Sequence, residues 1–285
     1  MPAIINTNIA SMNAQRNTST SQLSLSTSMQ RLSSGLRVNS SKDDAAGLSI
    51  AERMQAQVRG MNVAVRNAND GISLAQTAEG AMGKVSDALQ RMRELAVQAR
   101  NATNTTADKT SLDKEFGELA KEIQRVLGGT TFNGKSILAT DAGTQTFQVG
   151  ANTTANDVVD VLTTNMTTSA DIIAVAGTDN QGTGRADLNG DATAIATVID
   201  NIDTALNTVN GERATLGASQ NRFEAVISNL QVSVENQSAA RSRIMDADFA
   251  SETANLSRAQ ILQQAGTAMI SQANQAPQQV LRLLQ

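Results

Sequence analysis

Between Met54 and Ala99 the apolar residues fall at alternating steps of four and three. Met54, Val58, Met61, Val65, Ala68, Ile72 and Ala75 are followed by Ala78, Met82, Val85, Leu89, Met92, Ala96 and Ala99, with one extra three-step at Ala75–Ala78. This is the heptad spacing of a coiled seam with a single phase shift. A helix over 45–100 would be roughly 84 Å long at ~1.5 Å per residue. Such a helix needs another long helix beside it. Gly60, Gly71, Gly80 and Gly83 interrupt the pattern, each at up to about 1 kcal/mol relative to Ala. A closely packed neighbouring backbone is one reason to keep them.

Composition agrees with paired helices. The 285 residues include no Cys, His, Trp or Tyr, 5 Phe and 2 Pro. A single wide core normally uses aromatics as its large blocks, whereas Ala, Leu, Ile, Val and Met suit long helices. Without Cys there are no disulfides or thiolate metal sites. Without His the commonest acid–base group and metal ligand is missing, which argues against an enzyme. The start lacks a basic region followed by an apolar one, so no Sec-type signal is expected. No apolar run approaches the ~20 residues of a membrane span. A soluble protein is expected, leaving the cell, if it does, by another route.

The net charge of −4 is unevenly spread. Residues 141–203 hold nine Asp against Arg185 alone, while no acid precedes Asp43 in a stretch carrying Arg16, Arg31, Arg37 and Lys42. Such asymmetry suggests parts with different neighbours.

Elsewhere the signals are weaker. Leu25, Met29, Leu32 and Leu36 form a narrow stripe in a polar N-terminal segment. Ser41 with Asp44 reads as a variant capping box before the long helix. Thr110 and Asp113 are expected to cap a second helix ending near Leu127. TFNGKSILAT carries an Asn-Gly turn and TQTFQVGA alternates, together a short β element; DVVDVL is a further candidate strand. Residues 165–192 read as a small surface insertion without a seam. Helical spacing returns from Ile195 through Val209, Leu216, Phe223, Ile227 and Val234 to Ile244. After a break capped by Asp248 it resumes at Ala259, Leu262, Gly266, Met269, Ala273, Ala276, Val280 and Leu283, with Pro277 a flaw expected to bend or fray the last turn. The fold class is mainly α. N- and C-terminal segments form a long antiparallel, coiled-coil-like helical rod, with a small β element and a short insertion in the middle.

The closing VLRLLQ places Leu281 and Leu284 beside the Val280–Leu283 line. Its final turn is apolar over more than one face, and a single partner helix cannot cover it. The expected partners are other copies, with the chain ends ordering on assembly.

RLSSGLRVNSSKDDAAGLSIAERM, LQRMRELAVQ, TFNGKSIL, FQVGAN and VLRLLQ resemble bacterial flagellin, in the family's order, over roughly residues 1–165 and 195–285. The resemblance implies a subunit of the extracellular flagellar filament, exported unfolded by the flagellar type III system and serving motility. Residues 1–42 with 247–285 would be inner-tube helices, 43–165 with 193–246 the outer-tube domain, and 166–192 a variable exposed insertion, very small here. Implied partners are further copies in a homopolymer, an export chaperone, a cap protein, hook-associated proteins and the host's flagellin-sensing Toll-like receptor. A hook–filament junction protein is the rival within this reading, and an enzyme or adhesin in the acidic centre the rival outside it. About 30 residues there would hardly bury a core of their own.

For self-assembly, the expected residues are Leu25, Met29, Leu32, Leu36, Leu262, Met269, Val280, Leu281, Leu283 and Leu284. Receptor recognition, by resemblance, falls on Arg91, Leu95 and Glu115, with Arg91, Glu94 and Leu95 off the helical seam. Asp43 and Asp44 read as helix-start acids rather than an acid–base pair. Asp187, Asn189 and Asp191 alternate like a calcium loop, but Ala192 stands where Gly is needed and Val198 where the bidentate Glu should be. No catalytic, cofactor or metal residues are expected, and neither nucleic acid nor membrane as a partner.

Overall fold

The computed structural model describes residues 7–282, with side chains through residue 275. The described residues form helices α1 (Ile9–Ser34), α2 (Ala45–Ala99), α3 (Thr106–Gly129), α4 (Ala170–Ala176), α5 (Ala192–Met245) and α6 (Phe249–Arg282). Strands β1 (Thr131–Phe132), β2 (Lys135–Ser136), β3 (Gly143–Gln148) and β4 (Val158–Thr163) lie between α3 and α4. The fold is mainly α with a small β element, as the sequence implies. Two compact units divide within α2 and α5: Met1–Ala56 with Glu235–Gln285, and Gln57–Val234.

In the first unit α1 and α6 run antiparallel. Asn8 Nδ2 donates to the Ala273 carbonyl at 2.8 Å, and Arg31 faces Glu252 at 3.8 Å. Between these points Gly266 lies so close to Thr18 that a Cβ would collide with its hydroxyl. The connectors after α1 and before α6 are joined by Arg37 N to Met245 O (2.6 Å) and Ala247 N to Gly35 O (2.9 Å). The Arg37 guanidinium also donates to Ile244 O at 2.7 Å. Val38, Ala51 and Met245 make a small core there. Helix α2 begins at Ala45, so Asp44 is itself the N-cap, accepting from Gly47 N at 2.8 Å. This corrects the Ser41–Asp44 capping box, because Ser41 lies three residues too early. Asp43 instead ties down the preceding turn through Ser40 and Asn39. The cap at Asp248 forms as expected, and α6 continues through Pro277.

In the second unit α2 and α5 run antiparallel, with Arg93 on Asp203 and Glu79 on Gln220. The expected α2 seam is buried except at Met54, Val65 and Ile72, which are half-buried. Leu74 and Leu95 add a second buried row, sharing a core with Phe116, Ala120, Ile123 and Leu127 of α3. Gly60 has the expected use beside the backbone of Ala151, whereas Gly71 makes room for a ring rather than a backbone. A Cβ at Gly71 would lie 2.6 Å from the Phe223 ring, and one at Gly60 would lie 2.9 Å from Ala151 Cβ; at Gly80 and Gly83 the space is open.

Helix α3 starts earlier than the sequence suggested. Thr105 is its N-cap, in a reciprocal capping box with Asp108. Thr110 is therefore inside the helix, and Asp113 is not a cap. Strands β1 and β2 form a hairpin with Thr131 opposite Ser136, and β3 pairs antiparallel with β4 from Gly143↔Thr163 to Gln148↔Val158. Phe147 meets Phe223 edge-to-face at 5.6 Å.

Residues 166–192 need the largest correction. Met166, Ile172, Val175, Ala176 and Leu188 are fully buried in the main core, and α4 packs on α3. The apolar run IIAVA has the spacing to seat one turn of helix on that core. The segment is therefore part of the folded domain rather than an exposed loop lacking a seam.

Candidate assembly surface and a charged face

The α1–α6 contact is built from the polar side of both helices. On α1 the covered positions are Asn8, Ser11, Ala14, Thr18, Ser21, Leu25, Ser28 and Leu32; on α6 they are Glu252, Leu256, Ala259, Gln263, Gly266, Ile270 and Ala273. The steps are threes and fours, so this is a heptad seam made largely of small and polar side chains. Small residues let the helices approach, but they remove little apolar area from water, so the pairing gains little from burial.

Apart from Leu25, Leu32, Leu256 and Ile270, the larger apolar side chains lie outside the seam. Ile9, Met12, Leu23 and Met29 of α1 and Phe249, Ile261, Leu262 and Met269 of α6 are half or more exposed; Leu23 reaches 69%, and Leu262 and Met269 50% and 61%. A groove of about 740 Å³ beside the seam is lined by Leu23, Thr27 and Arg31 from one helix and Glu252, Arg258 and Leu262 from the other. Singly exposed apolar residues are ordinary. Eight on one helix pair, all outside its seam, leave a large apolar area in water among the described residues.

The expected assembly residues thus divide. Leu25 and Leu32 lie in the α1–α6 seam, and Leu36 packs beside Val38 and Met245. Met29, Leu262 and Met269 are exposed and off that seam, contrary to the stripe read from sequence. Leu283 and Leu284, and the side chains of Val280 and Leu281, lie outside the described residues.

On the second unit, the structure brings two of the three expected recognition residues together. Arg91 Nε and Nη2 donate to Glu115 Oε1 at 2.9 and 2.8 Å, and Nη1 donates to Glu94 Oε2 at 2.8 Å. The hydrogen bonds it donates to Glu94 and then Glu115 raise the guanidinium pKa above its ordinary value. Two residues further on, and turned toward α5, Arg93 holds Asp203 in a forked pair at 2.6 and 3.1 Å, and that bond keeps the Asp203 carboxyl below its usual range. Val97 stands exposed beside Gln90, Arg93 and Glu94. Leu95 does not join this face. It is 1% exposed and lies in the core, because the second buried row of α2 passes through it. Leu95 is off the heptad seam as expected, but its own row is buried too, and its expected place on the recognition surface is corrected accordingly.

A further charged pair escaped the sequence reading. Arg185 Nη1 and Nη2 donate to Asp113 Oδ1 and Oδ2 at 2.9 and 2.7 Å, and Leu188 N donates to Asp113 Oδ1 at 3.0 Å. Burial by itself pushes the Asp113 carboxyl up. The Arg185 and Leu188 hydrogen bonds and the guanidinium charge outweigh it and hold the group below its usual range. The signal was available: Arg185 is the lone base among nine acids.

The acids of the calcium-like loop are occupied as turn caps. Asp187 Oδ1 accepts from Asn189 N, and Asp191 Oδ1 from Ala194 N at the start of α5. Among the described residues no cluster of three or more acids could hold a metal, and no helix is long and apolar enough to cross a membrane.

Residues 5–142 match the family model described as the bacterial flagellin N-terminal helical region, and residues 199–284 match the C-terminal helical region. The chain is 46% identical over 281 residues to a flagellin of Halalkalibacterium halodurans, covering 99% of each. It is 36% identical to flagellin A of Vibrio cholerae serotype O1, again covering 99% of each. A crystal structure of Bacillus cereus flagellin aligns with a TM-score of 0.49 at 34% identity, over 58% of this chain and 88% of that one.

Proposed function

The chain belongs to the bacterial flagellin family, and from that premise we propose that it is the repeating subunit of a flagellar filament, assembled outside the cell from copies of itself to serve motility. The observation that carries this reading is the outward-facing apolar surface of α1 and α6. A helix pair whose seam is mostly Ser, Thr, Ala and other small or polar residues, and which leaves eight large apolar side chains half or more exposed, gains more from neighbours than from itself. The role is structural rather than catalytic. Residues 1–42 with 247–285 are assigned to the inner tube, and 43–165 with 193–246 to the outer one. Residues 166–192 form the small outermost part, even though their apolar side chains share the main core.

Export in unfolded form through the flagellar type III apparatus, with a chaperone, a cap protein and hook-associated proteins as partners, follows from the same premise. A weakly buried seam favours it, since little must be undone to thread the ends. The Arg91–Glu115 face is the proposed contact for a flagellin-sensing Toll-like receptor, with Leu95 supporting it from beneath.

Electron microscopy of the purified protein under assembling conditions tests the main proposal. The wild type should form filaments, and the triple variant Leu23→Ser/Leu262→Ser/Met269→Ser should remain a helical monomer. Filaments of normal length from the triple variant would overturn the assignment. For the receptor face, Arg91→Ala should weaken signalling by the monomer far more than Thr178→Ala. Equal signalling by Arg91→Ala and wild type would remove it.

A further inference from the structure

The chain contains three Asn-Gly pairs: Asn133–Gly134, Asn189–Gly190 and Asn210–Gly211. In such a pair the glycine amide nitrogen is the least hindered nucleophile toward the asparagine side chain. The three pairs occupy different surroundings, and the differences decide which of them reacts.

Asn133 and Gly134 form the tip of the β1–β2 hairpin, with φ of 48° and 79°. Both are exposed. A Cβ built on Gly134 would meet nothing within 4 Å, so the amide is open to approach. Among the described residues the Asn133 side chain makes no hydrogen bond, leaving it free to swing. The strands behind the tip pair only Phe132 with Lys135 and Thr131 with Ser136. Left-handed backbone at Asn133 must relax before a ring can close, and a hairpin this short gives way readily.

The other two pairs are held. Asn189 Oδ1 accepts from Thr110 Oγ1 at 3.2 Å, the Asn189 backbone N–H donates to Asp187 Oδ1, and the Gly190 carbonyl accepts from Lys109 Nζ at 3.1 Å. A Cβ on Gly190 would lie 2.8 Å from that of Ala194, so the approach is crowded. Asn210 and Gly211 lie inside α5, where the Gly211 amide belongs to the helical hydrogen-bond ladder.

We propose that Asn133 is the chain's intrinsic deamidation site, the hairpin tip converting to isoaspartate as the protein ages. Gly134 N attacks Asn133 Cγ. An N–Cγ bond forms, the Cγ–Nδ2 bond breaks, and ammonia leaves carrying the amide proton. Water then opens the succinimide at either carbonyl, giving aspartate or isoaspartate. The balance is one water in and one ammonia out, with no oxidant or cofactor. Isoaspartate places an extra methylene in the backbone at the tight turn. That turn fixes the Thr131–Ser136 register and leads directly into the buried Ile137 and Leu138, so the hairpin loosens where it joins the core.

The test is peptide mapping by mass spectrometry of the folded monomer aged in mildly alkaline buffer, with isoaspartate read by enzymatic methylation from S-adenosylmethionine. Asn133 should convert at least about tenfold faster than Asn210, equivalent to ~1.4 kcal/mol or more for opening the helix at Gly211. Conversion of Asn189 or Asn210 at an equal or greater rate would overturn the proposal. As a second measurement, Asn133→Asp keeps an Asp-Gly turn of the same type and should abolish the early ammonia release. Release unchanged in that variant would equally overturn it.

Discussion

Arg185 is the lone base between residues 141 and 203, and its guanidinium closes on a buried carboxylate 72 positions away. Removing one partner leaves the other charged among apolar neighbours. Arg185→Ala is expected to cost roughly 3 kcal/mol, toward the low end for a broken buried pair, since the Arg185 side chain keeps 21% of its exposure. Urea unfolding of the monomer measures this. The pH dependence has a definite sign. Asp113 has its folded pKa below the unfolded 3.8, so the pair's contribution is complete above that value and is lost as pH falls through the folded pKa. In Arg185→Ala the fall in stability below pH 3.8 should be shallower than in wild type. Arg91 on Glu115 is a contrasting case. Both are exposed, so Arg91→Ala should leave the unfolding midpoint nearly unchanged, whatever it does to recognition.

At the scale of elements, the α2 seam was legible because Met, Val, Leu, Ile and Ala recur there at heptad steps over more than forty residues, with a single phase shift. Its glycines were legible only as exceptions, and the structure separates them. Gly71→Ala drives a methyl into the Phe223 ring, which is fully buried against Phe147, and should destabilise by about 1–3 kcal/mol. Gly80→Ala faces open space and should stabilise by up to about 1 kcal/mol. Thermal unfolding of the two variants should therefore move in opposite directions. Helix α4 was hidden in the sequence by the polar Thr, Asn and Gly around it. Met166, Ile172, Val175 and Leu188 each stand to lose about 1.5–3 kcal/mol of burial. Deleting 166–192 should leave a monomer that melts far earlier than wild type, where an exposed loop would have tolerated the loss.

For the whole molecule, the sequence made the family and the helical fold legible but hid how α1 meets α6. A seam in which Leu25, Leu32, Leu256 and Ile270 are spaced out among Asn, Ser, Ala, Thr, Gln and Gly gives only a thin apolar periodicity. On these helices several of the other large apolar residues, Met29, Leu262 and Met269 among them, are exposed outside the seam. The central claim is that these exposed side chains are covered by other subunits. Because the chain has no cysteine, one introduced thiol reports on one position alone. Leu262→Cys and Met269→Cys, treated with a thiol reagent, should label rapidly in the monomer and be blocked in the filament. Ala259→Cys, in the seam, should label slowly in both. Equal labelling of Leu262→Cys and Met269→Cys in monomer and filament would contradict the account.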